Sequence, residues 1–269
     1  MSTDLGSVAA IWRFPMKSAM GESLNASLVT ARGIAGDRAY ALVDTDGRIS
    51  TAKIPRKWGA LYSSRARYLT EPADDDLPPA EITFPDGERM MTSAPGFEAR
   101  MAELVGREVK VITERPEKLL LESPRLGKVP EGDDEPTIDF PVLNGFFDLG
   151  SLHLLTTATL SRLRSLSPDT RFEPRRFRPN IVVETPPGAE GFVENEWPGK
   201  VLAIGDDVRI KVTMPTIRCV VTTLAQDDLP NEPAVLKTAA QHNSANVGVY
   251  AMVERGGMIR RGDRITIVD

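Results

Sequence analysis

Cysteine and histidine are the scarce residues of this sequence. One cysteine, Cys219, and two histidines, His153 and His242, occur in 269 residues. A lone thiol excludes an internal disulfide, and it cannot by itself cage zinc or carry an iron–sulfur cluster. Two histidines leave little material for a multi-histidine metal centre. No run approaches the ~20 apolar residues that a membrane-spanning helix needs. The opening MSTDLGSVAAIWRFPMKS has no basic segment ahead of an apolar one, so it does not read as a secretory signal. Together these features point to a reducing, cytoplasmic setting. No GxSxG, Walker A, HExxH or GxGxxG segment is present, which counts against the common hydrolase and nucleotide-binding classes. An excess of acid, 38 Asp and Glu against 33 Lys and Arg, gives a formal charge of −5. That balance argues against general attraction to nucleic acid or acidic membrane, and leaves room for a local basic pocket for a small anion.

What is present is ordinary globular material, 41% hydrophobic and 26% charged, enough to bury a large core. The first quarter reads as a β-meander: VAAIWRF closed by Pro15, then short strands around Gly33 and Gly36, then an Asp46-Gly47 turn. EPADDDLPPA reads as a solvated loop, ITFPDGERM as a hairpin, and 95–105 as a short helix with Phe97, Met101, Leu104 and Val105 on one face. Residues 114–141 are rich in proline, glycine and charge and read as a long loop at the seam between two halves. The resulting division is 1–115, a linker over 116–140, and 141–269. In the second half a helix is expected from Thr157, with Leu160, Leu163 and Leu166 along one face, and another over 231–241. FRPNIVVE, KVLAIGDDVRIKVT, TIRCVVTTLA, VGVYAMVERGG and DRITIVD are strand-like. Many short strands with glycine turns and few helices suggest a mostly-β (α+β) class, a barrel-like core with helical decorations.

Cys219, in TMPTIRCVVTTL, reads in two ways. It is either a small buried apolar residue of a β core or a reactive thiol beside the cation of Arg218. In a regular strand Arg218 and Cys219 would face opposite sides. A bend at Met214-Pro215-Thr216, where Pro215 would stop strand pairing, is needed for both to address one pocket. Arginines and small polar residues gather beside other turns: Lys17-Ser18 after Pro15, Asp37-Arg38 after GIAG, and Arg175, Arg176 and Arg178 in PRRFRPN, which ends on Asn180. Forked guanidinium donors with a lysine and a serine suit an anion, although each residue taken singly reads equally as a solvated surface charge. His153 reads as a core histidine, Asp148 as a turn residue, and HNSAN (242–246) as a polar turn or the lining of a site.

These segments resemble the MOSC family, in the version with an N-terminal MOSC β-barrel domain. The likeness rests on RFPMKSAMGESL, ARGIAGDRAYALVD and TAKIP in the first half. In the second it rests on LTTATL, RRFRPNIVVE, ENEWPGKVLAIGD, IRCVVTT and VGVYAMVERGGMIRRGD. The resemblance implies a β-barrel MOSC core with an N-terminal β-barrel subdomain, and a molybdenum cofactor with Cys219 as the thiolate on the metal. Lys17, Ser18 and Arg38 would hold the pterin and its phosphate. Thr156, Thr157, Arg178 and Asn180 would approach from the second half, with Arg218 beside the metal ligand and Tyr250 on the cofactor side. Relatives resembling the amidoxime-reducing component reduce N-hydroxylated compounds, so the implied activity is two-electron reduction of a small N-oxygenated substrate. A separate flavin or iron–sulfur protein would supply the electrons. The alternatives are a non-redox MOSC protein that carries molybdenum cofactor, sulfur or another small anion, and a molybdenum-free enzyme built on the same pocket. The sequence departs from the reductase pattern at Pro215-Thr216-Ile217 and at LAQDDLPNEP, both on the presumed substrate side.

Overall fold

The longest strand, β1 (Thr3–Arg13), buries Val8, Ile11 and Arg13 and ends two residues before Pro15, which cannot donate to a ladder. The computed structural model describes residues 3–73, 76–117, 119–124, 137–141, 146–147 and 149–268. The expectations for Asp148, for most of the acidic 74–76 stretch and for the GDDE run fall outside these residues. β2 (Glu22–Leu24) returns antiparallel on β1, and β3 (Ala26–Thr30) pairs with β4 (Gly33–Ile34). Next come β5 (Ala41–Asp44), helix α1 (Pro55–Trp58), a 3-10 turn (Gly59–Ser63), β6 (Arg65–Tyr68), β7 (Ala80–Thr83) and β8 (Arg89–Met91). Helix α2 (Phe97–Val105), expected over 95–105, precedes β9 (Val109–Ile112). These elements enclose a core that includes Met16, Tyr40, Leu42, Trp58, Phe97 and Met101.

The segment 114–141, expected as a loop, contains an antiparallel pair, β10 (Leu120–Pro124) and β11 (Thr137–Pro141). Glu122 on β10 is buried and accepts from Lys57 Nζ of α1 at 2.7 Å. This ion pair pins the start of the excursion to the first half.

The second half holds β12 (Leu152–Thr156), α3 (Thr157–Leu166), α4 (Pro174–Phe177), β13 (Ile181–Glu184), β14 (Val201–Ile204) and β15 (Val208–Ile217). It ends with α5 (Ala234–Asn243), β16 (Asn246–Arg255), β17 (Gly257–Arg260) and β18 (Arg264–Val268). The order β13-β12-β16-β15-β14-β18-β1, with β1 also paired to β13, closes a seven-stranded barrel. Closure leaves no free edge. Only β12 and β13 run parallel. Ile11, Leu154, Ile181, Leu202, Ile210 and Val249 are among the residues that fill it. The fold is therefore mostly β with a few helices, as the strand count predicts, and its barrel takes one strand from the first half.

α3 begins where Thr156 Oγ1 accepts from Thr159 N at 3.1 Å, a hydroxyl N-cap. Leu160 and Leu163 are buried on its inner face, packed with Leu155, Val235 and Val247 between α3, α5 and the barrel wall.

Two expectations near Cys219 are corrected. Pro215 does not stop β15; it is paired with Val249, and register shifts lie on both sides of it. Irregular register is where a strand tolerates a residue without an N–H. Nor does the strand run through TIRCVVTTLA: it ends at Ile217, and Cys219 caps a 3-10 turn (Val220–Thr223).

Candidate functional site

Beyond β1 the chain crosses the mouth of the barrel and is laced to the 37–40 segment. Arg38 N donates to Phe14 O at 2.7 Å, Tyr40 N to Pro15 O at 2.9 Å, and Lys17 N to Tyr40 O at 2.8 Å. Lys17 and Ser18 are both buried. Lys17 Nζ donates to Phe146 O at 2.9 Å, and Ser18 Oγ accepts from Ala52 N at 3.1 Å. The pair is thus gripped between three segments distant in sequence.

Asp37 ties this loop to the second half. Its Oδ1 accepts from Phe14 N at 2.7 Å, and its Oδ2 accepts from Asn180 Nδ2 at 2.9 Å and from Arg38. The carboxylate is fully buried, and each of its oxygens is met by a donor. Asn180 also accepts from His153 N at 3.1 Å, so one side chain braces the start of β12, the start of β13 and the GDR turn.

The β15–β16 ribbon brings in the other wall. It bends where Pro215 pairs with Val249 and where Gly248 adopts φ 84°. A Cβ at Gly248 would overlap His153 Nε2 and the Leu154 carbonyl oxygen, so only glycine lets the ribbon lie this close to β12. Past the bend, Arg218 N donates to Ala245 O and Arg218 Nη2 to Phe177 O, each at 2.8 Å. Arg218 and Cys219 therefore lie beyond the strand, past the register shifts that flank Pro215. Cys219 is half-buried and makes no disulfide.

Arg178 occupies the centre. Its guanidinium stacks on Phe14 at 4.1 Å and on Tyr62 at 5.5 Å, and it donates to Ala19 O. Arg38 approaches the other reachable part of Phe14 at 5.2 Å. Neither Arg178 nor Arg218 has a carboxylate within ion-pair distance among the described residues. Arg218 Nε and the Tyr62 hydroxyl are buried without a hydrogen-bond partner of good geometry. Burial holds the Arg178 guanidinium below its ordinary pKa. Burial also raises the Tyr62 phenol, an effect opposed by the charges of Arg178 and Arg218. His153 is driven down to about 3 by burial first and by Arg218 next, so it stays neutral. A buried guanidinium beside orphaned polar atoms is a donor set suited to an anion.

The structure brings one group together: Arg38 and Arg178 share the Phe14 ring, Asn180 meets Arg38 at Asp37, Arg178 and Arg218 both act on Tyr62, and Lys17 and Ser18 immediately precede Ala19, whose carbonyl accepts from Arg178. Tyr250 stands at the margin of this group, its ring 5.8 Å from that of His153. Thr156 and Thr157 do not join the group. Thr156 Oγ1 donates to the buried Glu194 at 2.6 Å, and Thr157 Oγ1 bonds to Thr185 Oγ1 at 3.1 Å. They lie at the far end of β12, about 10 Å beyond His153 at the usual rise per residue. Asp37 was visible in the GDR motif, but its service to Asn180 was not. Tyr62 gave no signal, because it arrives from the 3-10 turn after α1.

Among the described residues six other than glycine have positive φ: Ser18, Arg38, Arg178, Asp227, Ser244 and Ala245. Three are candidate site residues, and Ala245 receives the Arg218 amide. Backbone held in this sparsely populated region concentrates at functional sites. No group of three or more His, Cys, Asp or Glu gathers among the described residues, and no helix there is long and apolar enough to cross a membrane.

Two family models match the chain, the MOSC domain over residues 146–266 and the MOSC N-terminal beta barrel domain over residues 5–71. The human "Mitochondrial amidoxime reducing component 2" is 24% identical over 97% of this chain and 83% of its own. The human "Mitochondrial amidoxime-reducing component 1" is 22% identical over 98% and 83%. The rat component 2 is 33% identical over 44% of this chain and 37% of its own. The crystal structure of the YUAD protein from Bacillus subtilis superposes with a TM-score of 0.50 at 11% identity, over 99% of this chain and 98% of that one.

Proposed function

This chain belongs to the MOSC family, carrying both the MOSC domain and its N-terminal β-barrel domain, and from that premise we propose that it reduces small N-oxygenated compounds at a molybdenum cofactor bound through Cys219. The observation that carries the reading is the pair of guanidinium groups of Arg178, which is buried, and of Arg218, which is half-buried with its Nε buried and unpartnered. Neither has a carboxylate partner among the described residues, and Cys219, next to Arg218 in the chain, is a half-buried thiol. The donor set fits the cofactor. A phosphate-bearing pterin offers acceptors for Arg178, Arg218, Lys17 and the orphaned Tyr62 hydroxyl, and a soft metal suits a thiolate. The absence of a further ligating cluster among the described residues suits a metal that arrives with its own organic dithiolate. When bound, the cofactor supplies two-electron redox chemistry at the metal.

The chain's own residues bind, orient and exclude water. Arg178, fixed between Phe14 and Tyr62, presents a planar fork toward the mouth, and its buried position strengthens each contact it makes to an anion. Arg218 is held beside Cys219 by its bonds to Ala245 O and Phe177 O. Tyr62 carries a proton at its hydroxyl that burial makes hard to lose, so it serves as a donor. Neutral His153 and Asn180 fix the wall behind them. The amidoxime-reducing names of the full-length relatives support the substrate class. A separate flavin or iron–sulfur protein would deliver electrons, and a reducing cytoplasmic compartment would keep Cys219 reduced.

Metal and pterin analysis of wild type beside Cys219→Ala, in a host that makes molybdenum cofactor, tests the reading. A folded wild type that contains neither favours the carrier or molybdenum-free alternatives.

A further inference from the structure

On the outer side of Arg178 lies a cleft of about 110 Å³ whose lining includes Phe14, Arg65, Arg175, Arg178, Gln226 and Asp227. A liquid water occupies about 30 Å³, so the cleft has room for one small planar anion. Its chemistry is already declared by an internal ligand. The Asp227 carboxylate is gripped by Arg65 from β6 and by Arg175 of α4, the latter at 3.3 Å. Asp227 sits at the tip of a tight hairpin in which Gln226 N donates to Leu229 O at 2.9 Å and Leu229 N to Gln226 O at 2.8 Å. It has φ 48°, a conformation that a non-glycine residue takes at a cost. The next residue, Asp228, bonds to Arg171 and to the second arm of Arg175 at 2.7 and 2.6 Å. Gln226 is 5% exposed, and its amide nitrogen has no partner. Arg178 is 9% exposed and lacks an ion pair among the described residues. The cleft therefore contains one carboxylate, one unmet donor at Gln226 Nε2, and the Arg178 guanidinium, which has no ion pair among the described residues.

We propose that this cleft is a carboxylate-binding subsite and that Asp227 holds its place when no ligand is bound. An incoming carboxylate would take the fork of Arg175 or Arg65 together with the Gln226 amide, while the half-exposed Asp227 swings to solvent. Exposed ion pairs hold weakly, so the exchange is easy. Assigning that carboxylate to the substrate, as an N-oxygenated compound bearing an acid group, rests on the reductase reading above; the binding itself does not. The hairpin is the stretch LAQDDLPNEP, where the sequence departs from the reductase pattern.

The test is calorimetric titration of acetate, and separately of inorganic phosphate, into the purified chain at fixed ionic strength. Asp227→Asn removes the tethered competitor and is expected to bind acetate about tenfold more tightly than wild type. Adding Arg175→Gln to that variant is expected to abolish the gain, and phosphate is expected to bind no more tightly than acetate. A folded Asp227→Asn that shows no saturable acetate binding overturns the proposal, as does a preference for phosphate. Should Asp227→Asn fail to fold, Asp227→Ser takes its place under the same criteria. Metal and pterin content, followed in each sample, separates failure of this subsite from failure of the cofactor reading.

Discussion

Asn180 Nδ2 donates to Asp37 Oδ2 at 2.9 Å and joins the FRPN segment of one half to the GDR turn of the other. The carboxylate it meets is fully buried and also receives Phe14 N and Arg38. Asp37→Asn would set an amide nitrogen against donors, leaving at least one unsatisfied. The expected loss is about 3 kcal/mol, read as a lowered midpoint in urea unfolding. A change below about 0.5 kcal/mol would mean that this brace does not hold the halves together.

The bend of the β15–β16 ribbon rests on Gly248. Gly248→Ala would force a Cβ against His153 Nε2 and Leu154 O at φ 84°. A cost above about 2 kcal/mol is expected. Gly87→Ala is the control, with a similar φ of 88° and nothing within 4 Å, and should cost only about 1 kcal/mol. Equal thermal shifts for the two would contradict the packing account.

His153 and Glu194 act on stability in opposite pH senses. His153 is neutral in the fold, with a pKa held near 3, whereas the unfolded chain binds a proton below its ordinary value of 6.5. Stability is thus lost as pH falls from about 6.5 toward 3, by up to about 1.4 kcal/mol per pH unit from this group. Replacing it by Gln should flatten that limb. Glu194 is pushed upward by burial, so its contribution is present at acid pH and lost as pH rises through the folded value. Glu194→Gln should therefore gain on wild type as pH rises from the ordinary carboxyl range, followed in denaturation series. A parallel pair of pH profiles would contradict the upward shift of Glu194.

Thr156 and Arg178 separate structural from cofactor roles. Thr156→Ala removes the α3 N-cap and a bond to Glu194, at an expected cost of about 1–2 kcal/mol, with pterin content unchanged. Arg178→Lys keeps a charge but loses the stacked fork on Phe14 and Tyr62, and should purify with less pterin. The reverse pattern would return Thr156 to the site.

Much of this was legible in the sequence because it is local. The strand pattern announced a β-rich barrel, Gly96 and Gly106 bracket α2, and the threonine pair marks the start of α3. Of the motif arginines, Arg38 and Arg178 meet on Phe14, whereas Arg175 and Arg176 bond elsewhere. What could not be read was long-range. Thr156 points to Glu194, 38 residues onward, and nothing in LTTATL discloses that. Tyr62 reaches Arg178 from 116 residues away, a partnership that only closure of the barrel creates. A proline at 215 suggests a strand end because it lacks a donor; register shifts beside it remove the need for one.

The central claim is that Cys219 and the unpaired arginines hold a molybdenum cofactor. The most direct measurement is molybdenum and pterin content of freshly purified wild type beside Cys219→Ala, both from a host competent in cofactor synthesis. The account predicts near-stoichiometric molybdenum in the wild type and its loss in the variant at unchanged fold. A well-folded wild type free of both metal and pterin, or a variant that retains the metal in full, would contradict it.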